Sequence, residues 1–213
     1  MKNWIYNQQL KWNFFKLKRE VEPLIKATNT KGKTHLQNYL YFACYPLFSY
    51  VESAIILYEK GKAQTLESVL RSLIELHINV IYYQVAESDY RLALAVKNQF
   101  DEKVKGVREI KQLMQKYSNL KSSDPSNLFS DAWLDNAENW AVEFRAAVIR
   151  GNNLSENIKE PGLKDKAIKC DQAAIKGVEP GHFERMYHLV YRQLSPSTHL
   201  NIAGLQGFVE EKG

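Results

Sequence analysis

The 213-residue sequence predicts an all-α protein, an antiparallel helical bundle. Three observations predict it. Long segments repeat apolar residues at three- and four-residue steps, the period of a helix with one buried face. Glycine and proline are few, 10 and 6, and no Asn-Gly or Asp-Gly dipeptide is present to turn a β-hairpin. Hydrophobic residues make up 45% and charged residues 25%, a balance that lets a chain bury a core. The organisation this implies is a single all-α domain over 1–213. It comprises an N-terminal helix and loop (1–33), core helices (34–117), an irregular helical insertion (118–180) and C-terminal helices (181–213).

Taken in order, residues 2–26 predict a first helix, with Trp4, Ile5, Leu10, Trp12, Phe14, Phe15, Leu17, Val21 and Leu24 apolar between lysines. The loop TNTKGKT (Thr28–Thr34) follows, then a long apolar helix to about Tyr58. Gly61, in EKGKAQ, is the glycine expected just past a helix end, so the next helix doubles back. That helix, Leu66 to about Val85, is apolar at Leu66, Val69, Leu70, Leu73, Ile74, Val80 and Ile81. A fourth runs from about Tyr90 to Tyr117, with Phe100, Val104, Val107, Ile110, Leu113 and Met114 set among alternating charges. Ser118–Asn127 is loop by composition. Beyond it, short helical patterns surround Trp140–Arg150 and Leu163–Ile175. Gly181–Leu194 is helical again, with Phe183, Met186, Tyr187, Val190, Tyr191 and Leu194 on one stripe.

The formal charge of +5 tolerates a polyanionic partner without marking a dedicated nucleic-acid module. Cys44 and Cys170 are the only cysteines, too few for a disulfide framework or a thiolate metal site, and they fit a reducing cytoplasm. The N-terminus is interrupted by charge and lacks the continuous apolar core of a secretory signal. Tyr39–Tyr58 is about as long as a membrane span requires. Glu52, Pro46 and tyrosines spread through its middle favour a buried core helix, and no membrane partner is expected. Phosphate-binding glycine loops, HExxH and GxSxG are absent, so no cofactor or metal is expected.

The candidate chemistry sits in VYRQLSPSTHL, Val190–Leu200. Ser195-Pro196 is a helix-start signature, because serine accepts a free backbone N–H and proline suits the first helical position. His199 then falls in the first turn of a new helix, where the dipole favours a neutral imidazole, the form a general base needs. Arg192 ends the preceding helix, and a sharp turn would bring its guanidinium near His199. Such a pair suits metal-free phosphodiester cleavage in RNA. The same spacing arises often by chance, and both residues serve equally well as local caps. A second constellation lies in LESVLRSLIELHINVIYY, where Arg71 and Glu75 share a helix face among apolar neighbours. A partly buried pair is implied, which either locks helix packing or shapes a polar pocket. His77, on the apolar stripe, reads as a core histidine, Tyr191 as packing and His188 as solvated.

The run ILYEKGKAQTLESVLRSLIELHINVIYY, followed far downstream by YRQLSPSTH, resembles the uncharacterised bacterial DUF5677 group. Its end also resembles the HEPN superfamily, all-α domains whose RNase members carry an Arg-x4-6-His motif near a late helix start. Arg192-x6-His199 sits at the long limit of that window, and Gln193 and the inserted Ser-Pro depart from the usual pattern. The resemblance implies a HEPN-like fold and a cytoplasmic, metal-independent endoribonuclease acting as a toxin or anti-phage effector. It implies RNA as substrate, a homodimer and a neutralising or regulatory protein partner. His199 would be general acid/base and Arg192 the phosphate ligand, with Arg71, Glu75, Tyr191 and Ser195 supporting them. The competing expectation is a non-catalytic helical module that binds or regulates another protein.

Overall fold

The computed structural model describes residues 8, 11–20, 23, 34–117, 121, 123, 130–192 and 194. Among them every regular element is helical and none is a strand, as the bundle prediction requires. Residues 11–20 are helical (α1), inside the predicted span 2–26. Then follow α2 (His35–Glu59), α3 (Ala63–Val85), α4 (Ser88–Lys116), α5 (Asp131–Gly151), α6 (Leu163–Gln172), α7 (His182–Arg185) and a π-helix, Met186–Tyr191. The chain divides into two compact units. One joins Met1–Ala86 to Pro161–Gly213; the other is Glu87–Glu160.

In the first unit, Thr34 starts α2 with a reciprocal capping box. Its hydroxyl accepts from the Gln37 backbone N–H, and the Gln37 side chain accepts from the Thr34 N–H. The end of α2 is the predicted glycine stop. Gly61 takes φ +62, while the N–H groups of Gly61 and Lys62 reach back to the carbonyls of Tyr58 and Leu57. This paired closure reverses the chain, so α3 returns antiparallel along α2, with Tyr39 edge-on to Tyr83 at 4.9 Å. On another side of α2, α1 runs antiparallel to it. Phe14 packs on Phe48, and Lys11 and Lys18 pair with Glu59 and Glu52.

α2 is less enclosed than the buried core helix the sequence predicts. Its most apolar 18-residue window has mean hydropathy 1.4, long and apolar enough to cross a membrane, yet 11% of that window is buried. Only Ala43 and Phe48 of this helix are buried, while Phe42, Tyr45, Ile56 and Tyr58 stay exposed. The reason is geometric: the helix is apolar around most of its circumference, and its contacts with α1 and α3 cover only part of it.

α3 is the central helix of this unit. Ile78, Tyr82 and Tyr83 are buried, with α2 on one side, α6 and the π-helix against it elsewhere, and Phe183 of α7 reaching its His77. Cys170 and Ala167 of α6 complete the core, the Cys170 thiol lying 3.8 Å from the Ile78 carbonyl.

The second unit is an antiparallel hairpin of α4 and α5. Phe100, Val104 and Ala141 form its core, flanked by ion pairs Arg108–Glu138, Lys111–Glu138, Lys111–Asp135 and Arg145–Asp101. α5 begins nine residues before the pattern around Trp140 suggests. Ser130 accepts the Trp133 N–H at 3.1 Å, a cap worth about 1 kcal/mol. Leu134 of the first turns is then fully buried.

Candidate functional site

The site of interest is built where α7 and the π-helix pass along α3. α6 sets their start: both carboxylate oxygens of Asp171 accept backbone N–H groups, from Phe183 at 3.1 Å and Glu184 at 2.8 Å. These are free donors of a helix N-terminus, which a carboxylate satisfies and the helix dipole favours. Gly181, at φ +72, supplies the left-handed residue that turns the chain into α7.

Phe183 is buried and stacks on His77, with centroids 5.6 Å apart and rings 29° from parallel. His77 is half-buried under that ring, on the apolar side of α3 where the sequence places it. Burial, and then the nearby charge of His182, push its imidazole below the usual pKa.

Two turns further on, Arg71 of α3 meets Tyr191. Its Nη2 donates to the tyrosine hydroxyl at 3.2 Å, and its guanidinium carbon lies 4.9 Å from the ring centroid. Tyr191 also stacks on Tyr187, at 5.4 Å and 19°. A guanidinium held both by a hydrogen bond and by a ring face is fixed in two directions.

The π-helix explains how Phe183 and Tyr191 can both face α3. Eight α-helical steps would leave them roughly 80° apart around the axis. The wider turns of Met186–Tyr191 remove most of that difference. The same rephasing corrects the predicted stripe: Met186, Tyr187, Tyr191 and Leu194 are half-buried, but Val190 is 40% exposed. π-Turns inside helices are frequent at functional sites, where they re-aim side chains. Here the side chain that follows the π-turn is Arg192, exposed and still helical.

The candidate residues thus separate. Arg71 and Tyr191 are brought together. Glu75 is exposed, so the partly buried Arg71–Glu75 pair read from their spacing is corrected; the arginine reaches to another helix while the carboxylate stays in solvent. Ser195 and His199 lie outside the described residues. His188, expected in solvent, is half-buried and sits 4.0 Å from Glu184 one turn earlier.

Sequence reasoning missed Asp171 and Lys166, and read Tyr187 only as one residue of the apolar stripe. Lys166 of α6 is buried, donating to Asn79 Oδ1 at 2.7 Å and Tyr83 Oη at 3.3 Å, with its ammonium near the rings of Tyr82 and Tyr83. The signal available for Tyr187 was its four-residue spacing from Tyr191; a lysine between Asp165 and Ala167 carries none. Among the described residues, no three His, Cys, Asp or Glu side chains converge to hold a metal ion.

Fold and site together define an all-α protein that presents an arginine at the end of a π-turn locked to the central helix. Residues 37–213 match the model of DUF5677, a family of unknown function, and the chain belongs to that family. No curated protein and no solved structure matches it.

Proposed function

We propose that the protein is a metal-independent endoribonuclease of the HEPN type, acting in the cytoplasm as a homodimer and serving as a toxin or anti-phage effector held in check by a protein partner. One observation carries the reading. Arg192, the residue the motif assigns to phosphate, is exposed directly after a π-turn whose last residue, Tyr191, is clamped by Arg71. A guanidinium on a braced backbone is suited to hold two phosphate oxygens and the charge that develops on them. In this mechanism His199 removes the 2′-hydroxyl proton as that oxygen attacks phosphorus. A protonated imidazole then delivers a proton to the departing 5′-oxygen.

The test is cleavage of total RNA by the purified protein against His199→Ala. Activity should vanish in the variant while its circular dichroism is unchanged; undiminished cleavage would remove the assignment. A second reading, a non-catalytic interaction module, is favoured by Leu189 and Val190, which are 68% and 40% exposed beside Arg192. It predicts intact RNA with both proteins and a partner whose binding is weakened by Leu189→Asp.

A further inference from the structure

The positive charge of this protein is unevenly placed. Residues 1–34 contain eight lysines and arginines against two glutamates, so this stretch alone is more positive than the whole chain at +5. The remaining 179 residues are therefore close to neutral. The family match begins at residue 37, after this stretch.

α1 shows what that charge is built into. Phe14 points into the core against Phe48, and Lys11 and Lys18 are turned toward Glu59 and Glu52 of α2. The opposite side carries Trp12, 64% exposed, and Phe15, 50% exposed, with Lys16 and Arg19 also exposed. The Lys16 ammonium lies 5.4 Å from the Trp12 ring centroid. A cluster of large aromatic rings left in water is a surface that burial against a partner would stabilise.

From these observations we infer that the outward face of α1 binds single-stranded RNA, with Trp12 as a stacking platform for a base and Lys16 and Arg19 on the flanking phosphates. Charge complementarity selects a polyanion, and exposed aromatic rings select one with unpaired bases. An anionic membrane is the other surface a basic, aromatic helix could meet, but the angular order argues against it. With successive residues about 100° apart, Phe15, Arg19, Trp12 and Lys16 follow one another within an arc of about 100°. An interfacial helix separates its cations from the rings it sinks into lipid; here Arg19 lies between two of them. Interleaved rings and cations instead match a strand in which bases and phosphates alternate.

This surface lies on a different helix from Arg192 and does not depend on cleavage. The test therefore uses a probe that the proposed chemistry does not cut: a fluorescein-labelled 2′-O-methyl oligouridylate of about 20 nucleotides, long enough for one such site. Binding to the full chain is followed by fluorescence anisotropy over a salt series. Trp12→Ala should weaken it about tenfold, the effect of removing one stacked base. Lys16→Glu with Arg19→Glu should weaken it further and flatten the logarithmic salt dependence by about 0.7 for each phosphate no longer neutralised. The charge-matched control Lys164→Glu with Lys169→Glu, two exposed lysines of α6, should change affinity less than about twofold if phosphate binding is local. Equal weakening by the control, unchanged affinity in both α1 variants, or binding to phosphatidylglycerol vesicles without binding to the oligonucleotide would each overturn the inference.

Discussion

Asp101 holds together the polar end of the α4–α5 hairpin. One carboxylate oxygen accepts from Lys97 Nζ at 2.8 Å, and the other from Arg145 Nε. Lys97 is 2% exposed and has the Ile158 carbonyl as its other acceptor, at 3.0 Å; Arg145 reaches the Glu156 carbonyl. The cluster therefore ties residues 156–158 back onto the hairpin. Partial burial alone would raise the Asp101 pKa, but hydrogen bonds and charge from Lys97 and Arg145 outweigh it and hold the carboxyl below its usual value. A depressed carboxylate stabilises the fold fully above the unfolded value, about 3.9, and that contribution is lost as pH falls through the folded value. Asp101→Asn should thus destabilise the protein by about 3 kcal/mol at neutral pH, mostly by leaving the buried Lys97 ammonium without its counter-charge. Urea melts at pH 7 and pH 3 check both parts. The variant's deficit should shrink at the lower pH, and adding Lys97→Met should recover much of the loss at pH 7.

At the scale of elements, the π-helix is the feature that decides where Arg192 points. If its wider turns exist to place both Phe183 and Tyr191 against α3, deleting the exposed residue Leu189 should leave an ordinary α-helix whose seven remaining steps keep Phe183 and Tyr191 within about 20° of each other, with Tyr191 still on Arg71. The deletion should therefore cost far less than Tyr191→Ala, and Tyr191→Ala should cost as much in the shortened chain as in the full one, because Arg71 keeps its partner. A deletion as costly as Tyr191→Ala in thermal melts, and not additive with it, would show that the π-turn serves something else. No composition or period marks such a turn, which is why the sequence placed Val190 on the buried stripe. The elements it did reveal were those with local chemistry. Gly61 marked the end of α2, where a left-handed residue was required, while the Thr34–Gln37 box that starts it went unread. The start of α5 was hidden because Ser130 and Asp131 follow a run of Ser, Asp and Asn that also spells loop. Only the burial of Leu134 and the cap on Trp133 decide in favour of helix. For Arg71 and Glu75, the spacing correctly placed both on one side of α3. It did not say that a long guanidinium would cross to Tyr191 while a shorter carboxylate stayed in water.

On the scale of the whole molecule, family membership fixes the chain's relatives but no activity, so function has to be separated from fold by variants that leave the fold alone. Two sets of basic residues make this possible. Arg192 follows the braced π-turn, and its proposed work is on charge that develops in the transition state. Lys16 and Arg19 sit on α1, and their proposed work is on the ground-state RNA strand. Interactions made only in the transition state change kcat, whereas those made equally in both states change KM. Arg192→Lys keeps the charge but loses the planar fork that holds two phosphate oxygens. It should lower kcat about 100-fold, the scale of removing one donor to a developing charge, with little change in KM. Lys16→Glu with Arg19→Glu should raise KM by about tenfold or more and weaken its dependence on salt. Steady-state cleavage of a fluorogenic RNA measures both constants. If the α1 pair lowered kcat, or Arg192→Lys acted only through KM, the division between a catalytic arginine and a strand-binding helix would be wrong.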